Sequence, residues 1–146
     1  PQLSDNSIEN LVPKVFKALK NGIQPEIYGN DYPTKDGTCI RDYIHISDLS
    51  DLHLELINKF NIGENQIFNI GSGSGYSVKE VFETIDRTCG LVTNPKVVGR
   101  RSGDVPKLVA NISKVLALTK WQPKRTLQEM VKSAWEGWQF SMGDDL

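Results

Sequence analysis

Apolar residues recur at helical spacing in several stretches of this sequence, and between those stretches lie only short runs with strand character. Ile8, Leu11, Val12, Val15, Phe16 and Leu19 keep the i, i+3, i+4, i+7 rhythm of an amphipathic helix. Pro13 falls in its first turn, where a missing N–H costs little, and Asn21-Gly22 supplies the stop. Leu49, Leu52, Leu56, Ile57 and Phe60 mark a second helix, with Ser47 or Asp48 as the expected cap and Gly63 at its close. The pair Ser77 and Glu80 forms a capping box ahead of Val78, Val81, Phe82, Ile85 and Cys89, and Gly90 ends that helix. Ser113 is expected to cap a short helix through Val115, Leu116 and Leu118. A second capping box, Thr126 with Glu129, opens a helix carrying Leu127, Met130, Val131, Ala134, Trp135 and Trp138. The strand-like runs are 26–28, 40–46, 66–70 and 96–98, and residues 143–146 are expected to fray. Strands alternating with helices predict an α/β fold with short strands and several helices.

At 146 residues the chain can bury a core of its own. Seventeen Lys and Arg against 18 Asp and Glu leave a net charge of −1, so nothing global points to nucleic acid or an acidic membrane. No apolar run approaches the roughly 18 residues of a membrane span, and the N-terminus lacks the basic and apolar pattern of a signal peptide. Cys39 and Cys89 have no metal-ligand or redox spacing and are expected to be free thiols, Cys89 in the core and Cys39 in a loop; no metal site is expected.

Three places carry potential chemistry. The turn-rich segment 29–38 is long for an idle connection, which suggests a functional or covering role. In Arg100-Arg101-Ser102-Gly103-Asp104, two adjacent guanidinium groups can clamp phosphate, and Asp104 can accept from a sugar hydroxyl; a solvated surface pair is the plainer alternative. Arg41 sits inside an apolar strand, where a charge needs a partner: Asp42 beside it, or a ligand phosphate. Gly71-Ser72-Gly73-Ser74-Gly75-Tyr76 lies between a strand and a helix, but Tyr76 stands where a dinucleotide fingerprint needs its third glycine, so a structural turn is expected. His45 and His53 are expected to be structural, and Trp135 and Trp138 to pack. No Gly-x-Ser-x-Gly, His-Glu-x-x-His or phosphate-binding loop is present.

The run from Gly29 to His45, with its Asp31-Tyr32-Pro33-Thr34 and Arg41-Asp42-Tyr43-Ile44-His45 segments, strongly resembles the UDP-glucose 4-epimerases of the extended short-chain dehydrogenase/reductase superfamily. The resemblance extends through Asn10-Leu11-Val12-Pro13, Asn69-Ile70-Gly71-Ser72-Gly73, Arg100-Arg101-Ser102-Gly103-Asp104-Val105 and the Trp135/Trp138 helix, nearly the whole chain. It implies a small C-terminal substrate-binding domain, residues 1–146, detached from a Rossmann NAD-binding domain that this chain does not hold. The family's Tyr-x-x-x-Lys pair is also missing: four residues beyond Tyr28, Tyr32, Tyr43 and Tyr76 stand Tyr32, Asp36, Ser47 and Glu80. The resemblance therefore implies a UDP-sugar-holding portion with no catalytic residue of its own. In the full-length enzyme, NAD serves interconversion of UDP-glucose and UDP-galactose through a 4-keto sugar in galactose metabolism; no NAD is expected on this chain.

By resemblance, Asn10 and Leu11 fall where the family meets the diphosphate, Ile27 and Tyr28 lie beside the uracil, Arg41 and Arg101 bind the diphosphate, Asp104 binds the ribose, and Leu108 limits room around the sugar. Leu108 is neither the bulky Tyr nor the small residue found there in family members, which leaves open whether N-acetylated sugars fit. A cytoplasmic homodimer, paired through the absent domain, is implied for the full-length protein, with apolar surface left bare here. Two alternatives stand beside this reading: part of a related sugar-nucleotide dehydratase or decarboxylase, and a stand-alone nucleotide-binding module. The long Asp31-Tyr32-Pro33-Thr34 loop argues against the first.

Overall fold

The computed structural model describes residues 10–57, 59, 60, 63 and 65–142. Ile8, part of the expected first stripe, and the expected fray at 143–146 lie outside them. The chain runs α1 (Leu11–Lys20), β1 (Glu26–Tyr28), β2 (Ile40–Asp42), α2 (Ile46–Ile57), β3 (Gly75–Ser77), α3 (Val78–Cys89), β4 (Lys96–Val98), β5 (Lys107–Leu108), α4 (Ser113–Leu118) and α5 (Leu127–Met142). The α/β class and the short strands follow the sequence pattern.

The strands make two small sheets. β1 pairs with β4 in parallel, with Ile27 opposite Val97. β2 lies between β3, antiparallel, and β5, parallel, so Arg41 stands opposite both Tyr76 and Leu108. α1, α3 and α5 close over one core of Val15, Phe16, Ile27, Val81, Phe82, Ile85, Leu127, Val131 and Trp138. The expected packing role of the tryptophans holds: Phe16 meets Trp135 edge-on at 5.0 Å between ring centroids and Trp138 at 5.9 Å. Cys89 packs against this core, and burial pushes its thiol up to about 11. A second core of Leu52, Ile112, Val115 and Trp121 joins α2 to α4.

Both capping boxes form. Ser77 Oγ accepts from the Glu80 amide while the Glu80 carboxylate accepts from the Ser77 amide, and Thr126 and Glu129 repeat the exchange. Gly90 closes α3 in the left-handed conformation. Ser113 does not cap α4: Ile112 occupies that position, and the Ser113 amide donates to Asn111 Oδ1.

Two strand expectations need correction. The run 40–46 is a strand only over Ile40–Asp42, because α2 begins at Ile46, capped by His45. Its carbonyl accepts from the Leu49 amide and its Nδ1 from the Ser47 amide, so His45 holds the capping position expected of Ser47 or Asp48. With Nδ1 accepting, Nε2 carries the hydrogen and donates to Ser133 Oγ at 3.0 Å, which fixes β2's exit onto α5. The run 66–70 has strand composition but pairs with no strand among the described residues, and Ile67 is 86 % exposed. A strand without a neighbour cannot satisfy its ladder. Nearby, α2 turns Ile46, Leu54 and Ile57 to solvent.

The 29–38 segment is a folded cover. Tyr32 is buried and its amide donates to the Gly37 carbonyl at 2.9 Å. Asp36 accepts from the Thr38 amide and hydroxyl on one oxygen and from Ser77 Oγ on the other, tying the segment to the start of α3. Gly37 is required twice over: its φ is +80°, and a Cβ there would stand 1.9 Å from the Asn30 carbonyl oxygen. Gly37→Ala should therefore destabilise by more than the roughly 1–2 kcal/mol of left-handed backbone strain alone. A urea midpoint unchanged from wild type, at equal slope, would contradict this.

Candidate functional site

A groove of about 540 Å³ opens where α1, β1, the start of β2 and the 99–106 loop converge. α1 contributes Leu11, Lys14, Val15 and Ala18; β1 and its approach contribute Gln24, Pro25, Glu26 and Tyr28; Cys39, Arg41 and Tyr43 come from the β2 segment, and Arg101 and Asp104 from the loop. Three cationic side chains, Lys14, Arg41 and Arg101, thus face two carboxylates and an apolar floor.

Strand alternation decides what β1 presents. Ile27 turns into the core at 5 % exposure, while Glu26 and Tyr28 face the groove. Tyr28 Oη donates to Glu26 Oε2 at 2.9 Å, and the Arg101 guanidinium carbon lies 4.5 Å above the Tyr28 ring centre. The groove therefore offers a flat aromatic face with a cation across it.

Arg41 does not pair with its neighbour Asp42. Its Nη1 donates to the carbonyls of Ile40 and Val105 at 2.8 and 2.9 Å, and its Nη2 to Asp104 Oδ1 at 3.1 Å. Three of five guanidinium donors are so engaged, which locks the head in place and leaves two N–H bonds for a ligand in the groove. Asp42 faces the other way. Its Oδ1 accepts from the amide and hydroxyl of Ser72, and its Oδ2 from the amides of Gly73 and Ala110. Gly71 has no room for a side chain, since a Cβ would stand 2.4 Å from Asp42 Oδ2.

That arrangement settles the glycine-rich turn. The Ser72 and Gly73 amides that a phosphate would need already serve a carboxylate, and the same negative charge repels an anion. The turn therefore does not fit the diphosphate of NAD. Among the described residues no group of three or more His, Cys, Asp or Glu is placed to hold a metal ion. No described helix is long and apolar enough to cross a membrane.

Of the eight residues singled out from the sequence, the fold brings Leu11, Tyr28, Arg41, Arg101 and Asp104 together in the groove. Ile27 turns its side chain into the core and is outside the groove lining. Asn10 holds the N-cap position of α1 beside Leu11, outside the groove lining. Leu108 lies on β5, 62 % exposed and also outside the lining. The expected clamp of adjacent arginines is split: Arg101 enters the groove, whereas Arg100 turns to Asp31 and Tyr32. Sequence reasoning missed Lys14, Glu26, Cys39 and Tyr43 as groove residues. Burial pushes the Tyr43 phenol up to about 12, against a smaller opposing pull from Arg41, so Tyr43 is a neutral donor there. Its signal was the alternation Arg41, Tyr43, His45, which put it on the face of Arg41.

Residues 1–134 match the model of the family described as GDP-mannose 4,6 dehydratase. The chain belongs to that family. The relatives that this dehydratase-family chain matches include the UDP-glucose 4-epimerase of Halalkalibacterium halodurans, 41 % identical over 135 residues, and that of Bacillus subtilis, 37 % identical over 134. Each alignment covers 90 % of this chain but only 40 % and 39 % of the relative, so the chain spans about 40 % of the length of the curated relatives it matches. The portion it resembles is their C-terminal one. Among solved structures, a UDP-glucose 4-epimerase from Stenotrophomonas maltophila with bound NAD and formylated UDP-arabinopyranose superposes with a TM-score of 0.84 at 31 % identity. It covers 96 % of this chain and 42 % of that one. The Bifidobacterium longum enzyme in complex with NAD+ and UDP gives 0.79 at 34 % identity, covering 90 % and 39 %.

Proposed function

We propose that this chain is the UDP-sugar-holding part of a UDP-glucose 4-epimerase, and that the groove of Tyr28, Arg41, Arg101 and Asp104 holds the nucleoside diphosphate. The supporting observation is the preset guanidinium of Arg41 beside an Arg101–Tyr28 stack, in a chain whose relatives are epimerases. The aromatic face suits a flat base, the arginines suit a diphosphate, and Asp104 and the Tyr43 hydroxyl suit ribose or phosphate oxygens. The diphosphate is common to substrate, intermediate and product of an epimerase. Binding energy placed there retains the intermediate without favouring either epimer. Asn10 and Leu11 at the start of α1 complete the diphosphate side, Ile27 lies on the base side, and Leu108 bounds the sugar.

The chain holds no Tyr-x-x-x-Lys pair in its sequence, and Asp42 fills its glycine-rich turn. It is accordingly expected to be inactive alone, with UDP-glucose or UDP-galactose as the ligands of the whole enzyme. The remaining part of that enzyme is proposed to cover the exposed Ile46, Leu54, Ile57 and Ile67. Without it, self-association that rises with protein concentration is expected in sedimentation.

The family description favours a second reading, a sugar-nucleotide dehydratase. The epimerase relatives and the 29–38 cover favour the first. Incubating the chain with UDP-galactose and NAD should yield no UDP-glucose, and UDP should displace a bound nucleotide probe better than GDP. Turnover by the chain alone would contradict its role as a holding part, and preference for GDP would favour the dehydratase.

A further inference from the structure

Arg100 belongs to neither the groove nor the core, yet it touches more of the site's scaffold than Arg101 does. Its Nε donates to Asp31 Oδ1 at 2.7 Å and its Nη2 to the Asp31 carbonyl at 2.6 Å. Its guanidinium carbon lies 4.3 Å above the ring of Tyr32, which is 4 % exposed. Gly29 closes the contact: a Cβ there would stand 2.7 Å from the Tyr32 ring and 2.8 Å from Arg100 Cγ. A surface ion pair alone contributes little, but a planar fork that binds one side chain and one carbonyl while stacking on a buried ring has a single geometry. The bond to Arg100 holds the Asp31 carboxyl below its ordinary value, against the smaller opposing effect of burial.

The chain on either side of this joint leads into the groove. One residue on, Arg101 stacks on Tyr28; three further, Asp104 receives Arg41, its own amide donating to the Arg101 carbonyl at 3.2 Å. One residue before Asn30, the Gly29 amide donates to the Val98 carbonyl at 2.9 Å. We propose that Arg100 is a positioning residue: by fastening the 99–106 loop to Asp31 and Tyr32 of the 29–38 cover, it sets Arg101 and Asp104 at the distances at which a nucleoside diphosphate is held. The ligand half of this rests on the proposed nucleotide groove; the fastening itself does not.

The test compares the wild-type chain with Arg100→Gln and Arg100→Lys in two measurements. Amide hydrogen exchange without ligand should rise about tenfold at Gly29 and Asp104 in Arg100→Gln, as expected for loss of charge-assisted bonds, while amides inside α3 keep their protection. Calorimetric titration should show UDP weakened about five- to tenfold and uridine less, because Arg101 faces the phosphates; Arg100→Lys should not restore binding, lacking the fork and the stacking plane. Unchanged exchange at Gly29 and Asp104 would overturn the fastening. Raised exchange with unchanged UDP affinity would overturn the positioning role. Failure of the wild-type chain to bind UDP at all would overturn the nucleotide reading, with the exchange data still deciding whether Arg100 fastens the loops.

Discussion

Asp48→Ala should cost about 1–3 kcal/mol of stability, the range expected when a buried charged hydrogen-bond partner is removed. Asp48 is 1 % exposed, on the first turn of α2. Its carboxylate takes the Arg125 guanidinium on Oδ1 and the amides of Lys124 and Arg125 on Oδ2 at 3.1 and 3.0 Å. Its carbonyl takes the Trp121 indole N–H at 2.8 Å. One residue thus joins α2, the second core and the entry to α5, and truncation leaves two amides unpaired and Arg125 with Asp51 at 3.6 Å. Burial acts to raise its pKa, but the two amides and the guanidinium together outweigh it and hold the carboxyl below 3.8. Stability from this group is therefore fully present above about pH 4 and is lost as pH falls through the lower folded-state value. Urea unfolding at pH 7 should show a large midpoint drop for Asp48→Ala, and the difference from wild type should shrink toward pH 2. An equal difference at both pH values would contradict the assignment.

Arg101→Ala should weaken UDP binding by about 10- to 150-fold, which is the 1.5–3 kcal/mol of a charge-assisted bond to phosphate. Thermal stability should hardly change, since among the described residues the contacts of Arg101 are the Tyr28 stack and the turn to Asp104. Arg41→Ala should weaken binding by at least as much. It also frees Asp104 and the carbonyls of Ile40 and Val105, so its melting temperature should fall as well. The contrast between the two variants separates ligand contact from scaffold. Calorimetry with UDP and with uridine checks it: the loss should be large for UDP and small for uridine. Equal losses for both would mean that the arginines do not meet the phosphates.

The helices are legible in the sequence because period and cap are local signals: Ser77 with Glu80 and Thr126 with Glu129 act as written. Residues 66–70 have strand chemistry, but a strand is a relation between two segments, and this run pairs with no strand among the described residues. β5 is two residues long and forms because the Ile40 amide reaches the Pro106 carbonyl, a contact across 66 positions that leaves no periodic trace. His45 as the α2 cap was hidden because an imidazole nitrogen is an uncommon acceptor there. The site divides the same way. The cationic loop, Arg41 and Tyr28 stand out one by one, and the resemblance supplied their grouping. The split of Arg100 from Arg101, the choice of Asp104 over Asp42 by Arg41, and the filling of the glycine turn by Asp42 all depend on side-chain directions that only the folded chain determines.

The groove of Tyr28, Arg41, Arg101 and Asp104 is proposed to hold a nucleoside diphosphate. The most direct measurement is a UDP titration of the isotope-labelled chain followed by NMR. The expected result is saturable shifts of the Tyr28, Arg41, Tyr43, Arg101 and Asp104 amides, with the 71–74 turn unmoved because Asp42 fills it. Shifts centred on that turn, or no shift at millimolar UDP, would contradict the claim.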